Sequence, residues 1–172
     1  YQETLLGSIH YPTYEEDLNY DNRNRLQTST QKANSVSYLR RYGYDVGNNL
    51  TVSFDANEQQ ESYHYDALNR LLRVVDAKGG NTEFSYDDRD NLLQVKDPEG
   101  RLTVYTYNAR DELTSETKHD YLGTDKQRRY DYDANGNLVS VVNPEQEKTV
   151  NEYDAANRLL SSEVFAHKDD AN

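Results

Sequence analysis

A tyrosine followed by Asp or Asn returns seven times along this chain, and its nearly constant spacing constrains the fold more than any other feature. The separations between successive markers are 24, 21, 21, 21, 25 and 21 residues, and a leucine stands six residues after each marker. A period of this length is typical of repeat architectures. The marker tyrosines are Tyr20, Tyr44, Tyr65, Tyr86, Tyr107, Tyr132 and Tyr153.

Each repeat predicts a β-hairpin. The incoming segment alternates aromatic and polar residues, as in Tyr63-His64-Tyr65, so that both rings lie on one face of a strand. The Asp or Asn after the marker can bond backbone groups ahead of it and begin a turn. The Asn, Asp or Gly four residues after the marker tolerates the positive φ that a tight turn ending in a bulge requires. A return strand follows, as in Leu71-Leu72-Arg73-Val74-Val75, and almost no helix is expected.

The expected fold is all-β, with about 14 strands in tandem hairpins that form a long curled antiparallel sheet. We expect residues 1–17 to hold the end of a preceding repeat and a loop, 18–164 to hold seven repeats, and 165–172 to be a connector. Insertions near 31–35 and 119–125 predict longer loops between hairpins or, alternatively, a contact surface for a partner. The end strands would expose unpaired edges, which favours edge-to-edge self-association.

Composition leaves disorder and a tyrosine-built fold both open, and the repeat register favours the fold. Leu, Ile, Val and Phe make up about 19% of the chain, and the net charge is -12, a combination typical of disorder. Sixteen tyrosines supply ring area that can be buried instead. The negative charge argues against nucleic acid as a partner, and no apolar run is long enough for membrane insertion. Without cysteine there are no disulfides or thiolate sites, and the lack of methionine suggests an excised fragment.

The repeated pattern Tyr-x-Tyr-Asp-x-x-(Asn/Gly)-(Arg/Asn)-Leu resembles the YD repeat of Rhs proteins. The same repeat occurs in the C component of bacterial Tc toxins, in wall-associated bacterial proteins and in animal teneurins. The segments Tyr65–Leu71 and Tyr153–Leu159 are the most similar units, and the resemblance covers about residues 18–164. The family's usual glycine at the fourth position after the tyrosine is kept only at Gly136, but Asn and Asp accept the same backbone region.

The resemblance implies a non-enzymatic structural role. In the family, YD repeats build a β-sheet that spirals into a hollow shell, and in Rhs and Tc proteins the shell encloses a C-terminal toxin. This chain would then be a segment of a bacterial shell wall, secreted, displayed at the cell surface or delivered by a secretion system. Its partners would be neighbouring repeats of the parent chain and the enclosed toxin polypeptide. The alternative is an extracellular adhesion or carbohydrate-binding module, in which tyrosine rings stack on a glycan.

Two acidic segments are candidate sites, and turn chemistry explains each of them better. Asp97-Pro98-Glu99-Gly100 is similar to a string near the self-cleavage site of Rhs shells, but aspartyl chemistry needs a second carboxylate. Asn143-Pro144-Glu145-Gln146 stands at the same place in a later repeat, which favours a type I turn. Residues 131–137 match the first half of a calcium-binding EF-hand loop, but its twelfth position is Val142 rather than Glu.

No residue is therefore nominated as catalytic, cofactor-binding or metal-binding, and no cofactor is expected. The four histidines, His10, His64, His119 and His167, lack metal-ligand spacing. No strand-to-helix turn presents a serine nucleophile, and no glycine-rich phosphate loop is present. Asn49-Leu50-Thr51 is a glycosylation sequon, which matters only in a eukaryotic secretory setting.

Overall fold

The structure, a computed structural model, describes residues 5–120 and 123–166, and in these ranges it contains strands without helices. The strands are β1 (Ser8–His10), β2 (Glu15–Tyr20), β3 (Leu26–Ala33), β4 (Val36–Tyr44), β5 (Leu50–Phe54), β6 (Gln60–Tyr65), β7 (Leu71–Val75), β8 (Asn81–Tyr86), β9 (Leu92–Lys96), β10 (Leu102–Tyr107), β11 (Leu113–His119), β12 (Lys126–Tyr132), β13 (Leu138–Val142), β14 (Lys148–Tyr153) and β15 (Leu159–Phe165). The predicted all-β class is confirmed.

The chain divides into two compact units, residues 1–82 and 83–172. In the first unit, strands β1 to β7 pair antiparallel, each with the next along the chain. In the second unit, strands β8 to β15 pair in the same way. The strand order is therefore the chain order, as tandem hairpins require. Of the fifteen strands, fourteen belong to the predicted hairpins, and β1 is additional.

All seven marker hairpins share one register. Each marker tyrosine lies opposite the leucine six residues later, as Tyr65 lies opposite Leu71, and each register shifts at the residue just before the marker. Such a shift is a β-bulge, which accommodates one extra residue. The residues with positive φ that follow the markers are Asn24, Asn48, Asn69, Asp90, Asp111, Gly136 and Asn157. The predicted turn with a left-handed fourth residue is confirmed in every repeat.

The connectors between marker hairpins use the same kind of turn. Asp76 N–H donates to Gly80 O over 2.9 Å, Gly79 N–H donates to Asp76 O over 3.0 Å, and Gly79 has a φ of 84°. The turns that begin at Asp55, Asp97 and Asn143 repeat both bonds. Pro98 and Pro144 occupy the second position of these turns, where their fixed φ suits a type I geometry.

The first insertion differs from the prediction. Strands β3 and β4 have eight and nine residues, and a turn of only Asn34 and Ser35 joins them, with φ values of 48° and 64°. The expected longer loop was wrong there, because two consecutive residues with positive φ make a type I′ turn and the inserted residues extend both strands. At the second insertion β11 and β12 have seven residues each, and residues 121–122 lie outside the described ranges.

A buried apolar core is missing from residues 5–120 and 123–166. No hydrophobic residue there is buried, and the buried polar residues are three serines, Ser29, Ser115 and Ser140. The marker tyrosines are half-buried on the strand surface. Within each unit, stability must therefore come from backbone ladders, turn bonds and half-buried rings.

The first strand extends the first hairpin on its free side. Ser8 lies opposite Asp17, and Tyr11 N–H donates to Tyr14 O over 2.9 Å to close the turn between β1 and β2. The rings of Tyr11 and Tyr14 stack with centroids 4.2 Å apart. The assignment of residues 1–17 to a preceding repeat, and the repeat bounds at 18–164, remain predictions.

We expect Gly136→Ala to lower the free energy of unfolding by about 1–2 kcal/mol, because an L-residue resists left-handed backbone. Gly136 has a φ of 86°, and an added Cβ would lie 3.1 Å from Glu112 Oε1. Gly7→Ala is the control, since nothing lies within 4 Å of the added carbon. Urea denaturation followed by circular dichroism measures both. Equal stability of the two variants would contradict the left-handed turn.

Candidate functional site

The side chain after each marker tyrosine closes its turn from within. Asp66 Oδ1 accepts the backbone N–H groups of Leu68 and Arg70 over 2.8 and 2.9 Å. Its Oδ2 accepts a bond from Arg70 Nε over 2.7 Å. Asp45, Asp133 and the other aspartates that follow a marker have the same bonding plan. These carboxylates are thereby committed to the hairpin turns.

These bonds hold the aspartate pKa values below their ordinary value. At Asp21, Asp45, Asp87 and Asp133 the largest cause is a side-chain hydrogen bond from the residue four positions later. At Asp66 and Asp154 it is the backbone N–H of that same residue. Each bond favours the charged form of the carboxyl group, so the turns are strongest when their aspartates are ionised.

Side chains also bond one marker turn to the next. Asn49 Nδ2 donates to Asn69 Oδ1 over 2.7 Å, and it also donates to Asp45 Oδ2 within its own turn. Asn91 reaches Asp111 in the same way over 2.8 Å, and Asn137 reaches Asn157 over 2.9 Å. Arg25 donates to Asp45 O and Asn48 Oδ1 in the following turn. We call these bonds the turn ladder.

Arginines three residues after a marker add further bonds between neighbouring turns by donating to main-chain carbonyls. Arg23 donates to Val46 O over 3.1 Å, and Arg89 donates to Ala109 O over 3.2 Å. Arg110 donates to Ala134 O and Asp133 O, each over 2.7 Å. A planar guanidinium suits this bridging, because it offers several donors in a fixed geometry.

Three marker tyrosines donate a hydrogen bond to the preceding repeat. The hydroxyl groups of Tyr44, Tyr107 and Tyr153 donate to the carbonyls of Leu26, Leu92 and Leu138, respectively, over 2.9–3.1 Å. Each acceptor is the leucine that stands six residues after the preceding marker. Burial raises the pKa of Tyr44 and Tyr107. At these three places the bond runs from a repeat to the one before it, opposite in direction to the bonds of the turn ladder.

An aromatic face accompanies the ladder. Side chains two residues before the markers lie opposite valines on the next strand: Tyr63 opposite Val74, Phe84 opposite Val95 and Tyr130 opposite Val141. Alternate residues of a strand share a face, so rings and β-branched side chains meet there. Because these side chains are only half-buried, the face is open to further contacts.

The two acidic segments singled out in the sequence are turn elements. Asp97 accepts bonds from the Arg101 backbone N–H and from Arg101 Nε, which closes a connector turn. Asp133 accepts two backbone N–H groups, and Asp131 lies within β12 opposite Ser140. Residues 131–137 therefore do not gather their carboxylates around one point.

The histidines are separate as well. His10 lies 3.5 Å from Glu15, His119 lies 2.9 Å from Asp125, and His64 contacts Arg73, whereas His167 lies outside the described residues. Within residues 5–120 and 123–166 no three His, Asp or Glu side chains are grouped as metal ligands. In the same ranges no helix has the length and apolarity to cross a membrane. The sequon residue Asn49 uses its amide in the turn ladder.

Sequence reasoning missed the donors of the turn ladder. The Arg and Asn donors stand five residues after a marker. The residues at this position in the seven repeats are Arg25, Asn49, Arg70, Asn91, Glu112, Asn137 and Arg158. Six of these seven residues are hydrogen-bond donors, and that regularity is a signal for contacts between neighbouring turns.

Known proteins share this architecture. A family model described as the teneurin YD-shell matches residues 10–165. The crystal structure of TcdB2-TccC3-Cdc42 superposes with a TM-score of 0.75 at 17% identity, covering 90% of this chain and 9% of that chain. A structure of the Photorhabdus luminescens Tc holotoxin pore gives 0.73 at 17% identity, covering 88% and 9%. No curated protein matches the chain by sequence. The likeness to the solved structures shows the fold, and the chain spans about a tenth of their length.

Acidification should destabilise the protein through the turn aspartates. Because their folded pKa values are lowered, the stability they contribute is complete above the ordinary value of 3.8 and is lost as pH falls below it. Asp66→Asn should weaken this pH dependence while keeping the turn, since Asn108 accepts the same two backbone bonds in its own repeat. Urea denaturation from neutral pH to about pH 2.5 checks this. An identical acid profile in wild type and variant would refute it.

Removal of one bridging hydroxyl should cost about 1 kcal/mol. Tyr107→Phe deletes the bond to Leu92 O and leaves that half-buried carbonyl with one partner fewer. Tyr132→Phe is the position-matched control, because Tyr132 has the same place in its repeat without such a bond among the described residues. Chemical denaturation compares the two variants. A control that loses as much stability as Tyr107→Phe would show that ring packing, rather than the hydroxyl bond, connects the repeats.

Proposed function

Because the chain belongs to the teneurin YD-shell family, we propose that it is a structural segment of a shell wall that encloses a polypeptide. The proposed parent is a bacterial protein of the Rhs or Tc type, which is secreted, displayed at the cell surface or delivered by a secretion system. The enclosed polypeptide is a toxin at the C-terminus of that parent. The segment itself performs no catalysis in this proposal.

The turn ladder is the observation that carries the proposal. Within each unit it bonds neighbouring repeats through side chains at fixed positions, as Asn91 bonds to Asp111 and Asn137 bonds to Asn157. A wall needs contacts of this kind, since a hairpin cannot bury its own face and gains stability from its neighbours.

The size of the matched structures supports the same view. This chain spans 9% of the chains in those structures, which include the Tc holotoxin pore of Photorhabdus luminescens. The fold of this chain therefore corresponds to a small part of each of those longer chains. The absence of a buried apolar residue in the described ranges also suits a wall whose faces meet other material.

A second candidate is an extracellular adhesion or carbohydrate-binding module. The half-buried rings of Tyr63 and Tyr65 on one strand face favour it, because aromatic rings with hydroxyl groups can stack on sugars and bond to them. The same face serves enclosure equally well by contacting an unfolded polypeptide. Binding measurements on a glycan array separate the two functions, since only the module should bind glycans reproducibly.

Limited proteolysis of the full gene product tests enclosure. We expect the polypeptide C-terminal to the repeats to resist protease in the intact protein and to be digested when it is expressed alone. Asn91→Ala combined with Asn137→Ala removes two ladder bonds between repeats and should shorten the protection. Asn19→Ala is the control, because Asn19 bonds to Thr28 within a single hairpin. A C-terminal region that is digested equally fast in the intact protein would overturn the proposal.

A further inference from the structure

A cluster of positive side chains interrupts the acidic surface in the second unit. Lys118 on β11 lies directly opposite Lys126 on β12, and Glu116 lies opposite Arg128 one row away. Because residues 126 and 128 alternate with 127, both project from one face of β12, which is also the face of Tyr130. We call Lys118, Lys126 and Arg128 the β12 cationic cluster.

Two of the three side chains in the cluster lack an acidic partner among the described residues, although the whole chain contains 31 acidic and 19 basic residues. Glu116 is engaged by Lys118, with Oε1 3.2 Å from Nζ. Lys126 and Arg128 are exposed and form no ion pair within the described residues. Like charges directly opposite on neighbouring strands are destabilising, and a bound anion would relieve that cost.

The cluster surrounds a cavity. A cavity of about 120 Å³ is lined by Glu116, Lys118, Lys126, Arg128 and Pro144. Tyr105 lies opposite Glu116 and therefore in the same row as Arg128. Basic side chains around a small recess beside a half-buried ring suit a carboxylate with a short apolar stem, such as the side chain of Glu or Asp.

The strand edge beside the cavity is open as well. The pairing of β12 with β13 begins at Arg129, which lies opposite Val142, so Lys126, Gln127 and Arg128 have no strand partner on that side. An extended peptide can bond to such an edge through its main chain while its side chains enter neighbouring pockets. A nucleic acid is disfavoured, because the net charge of -12 repels a phosphate backbone.

We propose that the β12 cationic cluster binds an acidic side chain of an extended polypeptide. In the intact protein this polypeptide is the enclosed one, so the identity of the partner rests on the proposed function, whereas the carboxylate site itself does not. The site gives the wall a local preference for acidic segments on a face that is otherwise aromatic. Because the groups are exposed, binding weakens as the salt concentration rises.

The test uses the full 172-residue chain and two double variants. The first is Lys126→Gln with Arg128→Gln, which removes the two unpaired charges of the cluster. The second is Arg129→Gln with Lys148→Gln, which removes two charges from the opposite face, where both residues lie opposite Val142. The two variants have the same net charge, so any difference in their binding reflects the place from which the charges were removed. Circular dichroism verifies that both retain the β-rich fold.

The probes are a fluorescein-labelled peptide of roughly ten residues with alternating Glu and Ser, and its Gln analogue. Fluorescence anisotropy at low salt should show tighter binding of the Glu peptide by wild type. The first variant should weaken that binding about threefold to tenfold, and the second should leave it unchanged. Equal weakening in both variants, or equal binding of the two peptides, would overturn the proposal.

Two further measurements locate the contact and separate it from enclosure. Peptide-induced shifts in the tyrosine ring resonances should centre on Tyr105 and Tyr130, and shifts confined to other tyrosines would contradict the site. If inorganic phosphate displaced the labelled peptide as effectively as unlabelled Glu peptide does, the cluster would be a general anion site, and the proposal would be overturned. The protease-protection result is read independently, so loss of peptide binding with intact protection rejects this site alone.

Discussion

In each hairpin turn one side chain accepts two backbone N–H groups, as Asp66 does from Leu68 and Arg70. These bonds fix the turn, and the turn sets the register in which Tyr65 lies opposite Leu71. The register in turn places the ring of every marker on the same face and brings donors five residues later to the neighbouring turn. A side chain that could not accept these two N–H groups would weaken the register as well as the turn, and a one-residue slip in register moves every side chain to the other face.

Contacts between successive repeats, rather than a buried apolar core, stabilise this structure. No apolar residue is buried in the described ranges, and half-buried tyrosines stand where aliphatic side chains would be in a layered domain. Polar bonds between repeats, such as that from Tyr107 to Leu92 O, then contribute a larger share of the stability than they do in proteins with a core. This explains how a chain poor in Leu, Ile and Val keeps a defined fold.

The sequence allowed the hairpins, the bulges and the left-handed residues to be predicted, because each depends on local chemistry that repeats seven times. At Asn69 and Gly136 the residue type alone indicates a left-handed backbone conformation. The first insertion was harder, since Asn34-Ser35 is a weak turn signal and its neighbours read equally well as loop or strand. The bond from Asn49 to Asn69 joins different repeats, and the pairing of Lys118 with Lys126 depends on the register of β11 with β12, which the repeat pattern alone does not specify.

The pairing of each strand with its neighbours along the chain has a mechanical consequence. A pulling force on one end of such a unit loads the strand bonds one after another rather than together, so the hairpins peel away singly. Each released repeat of 21 residues adds about 70 Å of extended chain. The hydrogen bonds between neighbouring turns then break one repeat at a time, and the chain extends under a low, nearly constant force.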